Sequence, residues 1–176
     1  VQEHLHAEIA NVPDPSEDPA KDSATRSTPA ESTQASLVEN VLQESLRLYP
    51  PVWLFSRRAV ADDVLGGFHV PAGTDVFICP YLLHRHAAHW ENPDEFVPER
   101  FTPSAAAGRH RFAFLPFSAG PRFCIGSGFA MAEMATHLTM VARRFRLEYV
   151  GPSPVEAEFQ INLRTRHALQ MRLVAR

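Results

Sequence analysis

The 176-residue sequence contains two cysteines, Cys79 and Cys124. At most one disulfide is therefore available, and a disulfide-stapled scaffold is excluded. Two isolated thiols suit a reducing compartment, where one of them is free to do chemistry. No apolar run approaches the ~20 residues that a membrane-spanning helix needs. The chain begins with Val1 rather than Met, and no signal peptide is visible, so the first residues of a natural product are expected to be absent. Positive charge is not in excess: the formal net charge is -3, which removes nucleic acid as a default partner. No internal repeat is present. Length and hydrophobic fraction suit one ordinary soluble domain with a real core.

Residues 1–12 read as a short helical end, with Leu5, Ile9 and Val12 at helical spacing. Residues 13–36 hold no Val, Ile, Leu, Met or aromatic residue, but carry Pro13, Pro15, Pro19 and Pro29 among Ser, Thr, Asp and Glu. Such a stretch buries too little to offset its ordering entropy and reads as a flexible linker. A helix is predicted over 37–48, with Val38, Val41, Leu42, Ser45 and Tyr49 on one stripe and Pro50-Pro51 ending it. Short strands are predicted at 52–55, 68–70 and 75–79, with glycine and proline marking the turns, and 81–84 reads as a short helix. From Trp90 to Pro121 the chain should be irregular and packed by aromatics; such segments are often functional. After Cys124, the recurrence of Ala130, Met131, Met134, Leu138, Val141, Ala142 and Phe145 predicts a buried core helix. The tail, 159–174, reads as a β-hairpin. The elements together indicate a mainly α protein with small β-sheets, an α+β fold.

Phe117-Ser118-Ala119-Gly120-Pro121-Arg122-Phe123-Cys124-Ile125-Gly126 carries the most chemistry. Gly120-Pro121 makes a turn, and Gly126 leaves the backbone bare beside the cysteine. Cys124 precedes a helix N-terminus, whose free N–H groups and positive field favour a thiolate. Arg122 adds positive charge and can pair with a carboxylate. Phe117 could shield the sulfur from water. The surroundings suit an anionic sulfur ligand; the plainer alternative is an inert cysteine in an aromatic loop.

This segment resembles the cysteine loop of the cytochrome P450 family, Phe-x-x-Gly-x-Arg-x-Cys-x-Gly. Phe117, Gly120, Arg122, Cys124 and Gly126 match all five fixed positions. The resemblance implies that Cys124 is the axial thiolate ligand of haem b iron, that Arg122 pairs with a haem propionate, and that Phe117 packs near the thiolate. A Cys ligand pushes electron density toward bound oxygen and favours O–O cleavage.

Glu44-Ser45-Leu46-Arg47 puts two charges on one helix face, opposite the apolar stripe. Alone, this pair reads as a solvated ion pair of little worth. It also resembles the family's Glu-x-x-Arg in its K helix, which an Arg from a Pro-Glu-Arg-Phe segment joins. Pro98-Glu99-Arg100-Phe101 follows in the expected order, so the resemblance implies a buried structural network of Glu44, Arg47 and Arg100. Leu46 to Val52 resembles the end of that helix. Arg57 occupies the place of a second propionate partner, with Arg58 as the alternative one register away. Val52, Trp53, Leu54 and Phe55, and the turn at Gln160 and Ile161, match substrate-lining elements; the alternative for each is core packing. His84, His86 and His89 have spacing open to zinc, which would need a fourth ligand; in the family a pair like His84-Arg85 packs the irregular region before a Trp like Trp90.

The resemblance runs from residue 37 to 176 and more weakly over 1–12. It implies the C-terminal part of the P450 fold, from the helix before the K helix onward. The oxygen-activating acid–alcohol pair, the long I helix and the distal helices are expected upstream of residue 1. The chain is thus expected to be a fragment that carries the proximal haem wall and no catalytic residue of its own. The implied activity is a haem-thiolate monooxygenase that takes electrons from a ferredoxin or flavoprotein reductase and inserts one oxygen of O2 into an apolar substrate. The alternative is a non-catalytic haem-binding or cofactor-free fragment of a truncated gene. No membrane segment is expected within these residues, and the location is expected to be cytoplasmic.

Overall fold

The computed structural model describes residues 1–10 and 36–176. Apart from Ser36, the linker expected at 13–36 lies outside the described residues. Two helices of about three turns or more carry the packing. α2 (Leu37–Leu48) is preceded by α1 (Gln2–Ala10), and α5 (Ser127–Arg144) lies near the C-terminal end. Ser36 caps α2 by accepting the Glu39 N–H through its Oγ. The Glu8 carboxylate of α1 accepts the Leu37 N–H at 2.8 Å. Two of the helix's unpaired first-turn donors are thereby satisfied. Leu5 and Ile9 of α1, Val38 and Leu42 of α2 and Ala142 of α5 form one core, flanked by Met131, Met134, Ala135 and Leu138.

α5 is not the buried core helix its apolar spacing predicts. Ala142 is its one fully buried residue, while Phe129 and Met140 are exposed. Its periodicity is real, but α1 and α2 cover a single face, and the remaining apolar positions face open space.

Among the described residues, four two-stranded antiparallel sheets complete the fold. β1 (Phe55–Arg58) pairs with β4 (Asp75–Ile78), placing Arg57 opposite Val76. Between them, β2 (Asp63–Leu65) and β3 (Phe68–Val70) form a hairpin whose turn, Gly66-Gly67, has both φ angles positive, at 58° and 87°. Such a turn matches the strand twist and favours glycine. The first predicted strand is shifted: 52–54 lead into β1 rather than forming it, because Pro50-Pro51 direct the chain away from α2 before pairing begins.

The tail corrects a second expectation. Only β6 (Ala157–Phe159) and β7 (Leu163–Thr165) form a hairpin. β8 (Met171–Ala175) reaches back to pair with β5 (Phe145–Tyr149), straight after α5. Alternation marks residues as strand-like but does not name their partner.

The segment between β4 and α5 holds α3 (Pro80–Leu83), a 3-10 turn at Pro98–Phe101, α4 (Pro103–Ala106) and a 3-10 turn at Gly120–Arg122. Trp90, Phe101 and Ala113 form a second buried cluster here, with Phe114 against it. Among the described residues, no helix is long and apolar enough to cross a membrane.

Candidate functional site around Cys124

The loop before α5 is closed by its own backbone. The Cys124 N–H donates to the Phe117 carbonyl at 3.0 Å, the Phe123 N–H donates to Gly120, and the Cys124 carbonyl accepts from Ser127. The reversal needs left-handed backbone at Ser118 (φ 65°) and at Gly120 (φ 67°). Glycine reaches that region without strain, so Gly120 suits its place. Gly126 precedes α5, and a Cβ there would lie 3.9 Å from the Cys124 sulfur, an ordinary contact. Cys124 is left exposed at the loop's edge, whereas Cys79 is half-buried at the start of α3. Phe117 is half-buried beneath the loop.

Arg57 ties this loop to the β1–β4 sheet. Its guanidinium donates to Ser118 Oγ at 2.9 Å and lies over the Phe55 ring. Strand alternation turns Arg58 the other way, where it pairs with Asp75 at 2.8 Å and holds that carboxyl below its usual range. Two cavities meet at Arg57. One, of about 540 Å³, is lined by Val52, Phe55, Ser56, Arg57, Ser118 and Arg122, with Arg58 at its edge. The other, of about 430 Å³, is lined by Phe55, Ile78, Leu83, Phe112 and Leu115 among others. Arg122 makes no ion pair or hydrogen bond to any described residue and lines the first cavity.

Of the five apolar residues that sequence reasoning placed against substrate, Val52 and Phe55 line these cavities. Trp53 does not: its Nε1 donates to the Gln160 carbonyl at 2.7 Å, and its ring meets Phe159 edge-on. Leu54 lines neither cavity, and Ile161, at the tip of the β6–β7 turn, is 94% exposed. The Leu163 N–H donates to Pro51, which fixes that hairpin beside the end of α2.

Behind the loop lies a buried charge network. Glu44 and Arg47 are both 0% exposed and paired two-pronged, at 2.7 and 2.8 Å. Arg47 also donates to the carbonyls of His84, Pro93 and Glu95, and Glu44 accepts the Val97 N–H at 2.8 Å. Arg100 reaches Glu44 at 3.4 Å as an ion pair, without hydrogen-bond geometry at its Nε. Its firm bond is from Nη2 to the Asn92 carbonyl at 2.9 Å. The reading of Glu44 and Arg47 as a solvated surface pair is therefore overturned: α2 is buried on this face as well as on its apolar stripe.

The resemblance gave His84 a packing role in the irregular region but not its partners. The side chain is fully buried, its Nε2 accepts the Leu115 N–H at 2.8 Å, and its Nδ1 lies 3.2 Å from the Arg47 carbonyl. One neutral tautomer satisfies both contacts, with Nδ1–H donating and Nε2 accepting. His84 thus joins α2 to the segment that runs into the cysteine loop. A histidine abutting a short apolar helix was the available signal, but it does not name its partners. Zinc finds no support here. His84 is engaged on both nitrogens, Nδ1 of His86 accepts from Ala88, and no metal-ligating group of three occurs among the described residues.

Burial pushes the His84 pKa down to about 4. The unfolded chain binds this proton near 6.5, so the native contribution is complete above that pH and is lost as pH falls toward 4. Roughly 3 kcal/mol should vanish across this window. Melting temperatures measured from pH 7 to 4 should fall accordingly, and less steeply in His84→Gln; equal slopes would show that another group controls acid unfolding.

Comparison with known proteins places these features. A family model described as cytochrome P450 matches residues 1–169. The chain is 44% identical over 140 residues to a probable cytochrome P450 4aa1 of Drosophila melanogaster, covering 79% of this chain and 28% of that protein. It is 49% identical over 111 residues to human cytochrome P450 4V2, covering 63% of this chain and 21% of that protein. Among solved structures, the cytochrome P450DA heme domain superposes with a TM-score of 0.76 at 29% identity, over 81% of this chain and 32% of that one. The chain thus spans less than a third of the length of these relatives.

Proposed function

Because the chain belongs to the cytochrome P450 family, we propose that it is the haem-binding portion of a haem-thiolate monooxygenase, in which the Cys124 thiolate would hold the iron. The observation that carries this reading is the exposed Cys124 thiol on a self-closed loop whose Ser118, Ala119 and Arg122 border cavities also lined by Arg57 and apolar residues. That donor set fits haem b, a flat apolar ring with a metal at its centre and carboxylates on one edge. When bound, the haem would supply oxygen activation, which thiolate ligation favours. Arg57 and Arg122 would hold the two propionates by charge-assisted hydrogen bonds. Phe55 and Val52 would keep water from the ring face above them. Glu44, Arg47 and His84 would act at a distance, by fixing the segment that carries the loop.

The whole protein would take electrons from a ferredoxin or flavoprotein reductase and oxidise an apolar substrate with O2. Residues 1–176 alone would not: these cavities are open rather than enclosed, and oxygen chemistry needs water excluded. The test is a haem titration of the chain, read from absorbance and from the reduced carbon monoxide complex. Saturable one-to-one uptake with a red-shifted main band supports the proposal. A spectrum indistinguishable from free haem leaves the reading of a cofactor-free fragment. Product formation above the free-haem background by the loaded chain would overturn the expectation of incompetence.

A further inference from the structure

We propose that a cavity of about 420 Å³ lined by His89, Trp90, Glu91, Arg100, Ala105, Ala107, Gly108 and Arg109 is a binding site for a small oxyanion of the phosphate type. It is separate from the cysteine-loop cavities, although His89 borders the smaller of them.

Charge balance motivates the site. Three guanidiniums cluster here, Arg47, Arg100 and Arg109, and the one buried carboxylate among them is Glu44. That carboxylate is already committed to Arg47 through both oxygens, to the Val97 N–H and to the Arg100 contact. Arg109 makes no ion pair with a described residue. One of its nitrogens donates to the Arg100 carbonyl, and its Cζ lies 4.3 Å from the Trp90 ring centre and 4.9 Å from that of Phe101. Contact with two aromatic rings does not neutralise a guanidinium. Burial and the neighbouring Arg100 and Arg47 charges accordingly lower the Arg109 pKa, against the pull of Glu44. A half-buried positive excess is costly unless a counter-charge approaches.

An unspent donor points the same way. Trp90 is 2% exposed, and its Nε1–H is buried without a partner. Arg100 Nε, also without a hydrogen bond, faces Glu44 at 3.4 Å as an ion pair. Buried polar groups in native proteins are rarely left unpartnered, so the indole N–H calls for an occupant. It is a donor, which selects an acceptor ligand. The Gly108 backbone has φ 82°, and nothing lies within 4 Å of where its Cβ would be, so the cavity is open on that side. Glu91 lines the rim and pairs with none of the three guanidiniums. A tetrahedral oxyanion, which accepts from several directions, fits fork-shaped guanidiniums and an indole N–H better than a halide.

The experiment titrates the full chain with inorganic phosphate and, separately, with glycerol phosphate, in chloride buffer of matched ionic strength, by calorimetry. Saturable one-to-one binding is expected. Equal affinities identify the free anion as occupant, and tighter binding of the ester identifies a phosphomonoester. Arg109→Gln should weaken binding about tenfold and Trp90→Phe, which keeps the ring, about fivefold. If Arg109→Gln fails to fold, Arg109→Lys keeps the charge but loses the fork, and should still weaken binding. Phosphate should also raise the melting temperature of the unaltered chain above that in chloride. No saturable response in the unaltered chain, or undiminished binding in the folded variants, overturns the site.

Discussion

Glu44→Ala is expected to destabilise the chain by about 3–5 kcal/mol, the cost of leaving a buried charge without its partner. Domains of this size have roughly 5–15 kcal/mol in total, so the variant should yield little folded protein. The cost has an identifiable source. Arg47 is fully buried, and three of its bonds go to the carbonyls of His84, Pro93 and Glu95, on segments far from α2 in sequence. Without the Glu44 carboxylate, the guanidinium either stays charged in a dry site or withdraws and releases all three. Glu44→Gln should fare little better, because it preserves shape but removes the charge. Arg100→Ala should cost less, since its contact with Glu44 is longer and its side chain is 13% exposed. The measurement is thermal melting by circular dichroism. A Glu44→Ala chain that melts within a few degrees of the parent would show that the network is dispensable. If Arg100→Ala proves the more damaging, the ranking by geometry fails.

Cys124→Ser is expected to abolish the red-shifted carbon monoxide band of the haem-loaded protein, while Cys79→Ser keeps it. This expectation rests on the proposed function. The two thiols differ in surroundings rather than in chemistry. Cys124 is exposed on a loop held by its own backbone bonds, and Arg122 of that loop lines a cavity together with Arg57. Cys79 sits half-buried between β4 and α3, with its carbonyl accepting from Leu83. A serine oxygen is a poor substitute for a thiolate, and the altered spectrum should appear even if haem is retained by packing. Retention of the band in Cys124→Ser with its loss in Cys79→Ser would reverse the assignment.

The sequence by itself determined the family, the class of fold and the residue types at the cysteine loop. Those features are local. Five matched positions from Phe117 to Gly126 specify a turn, a charge and a sulfur through nearest-neighbour chemistry, and the spacing of α2 and α5 follows from helical periodicity. Only the tertiary structure decided how those pieces are shared out. It paired β8 with β5, because alternation carries no partner label. It turned Trp53 toward Gln160 and left Ile161 in the open, although both match substrate-lining elements of the family in sequence. It left much of α5 uncovered, because a helix cannot encode how many neighbours it will meet. It also placed Glu44 and Arg47 in a dry interior, where the same i,i+3 spacing would serve equally well on a wet surface. Burial, the partners of His84 and the charge balance around Arg109 depend on chain segments tens of residues apart in sequence, and no local pattern contains them.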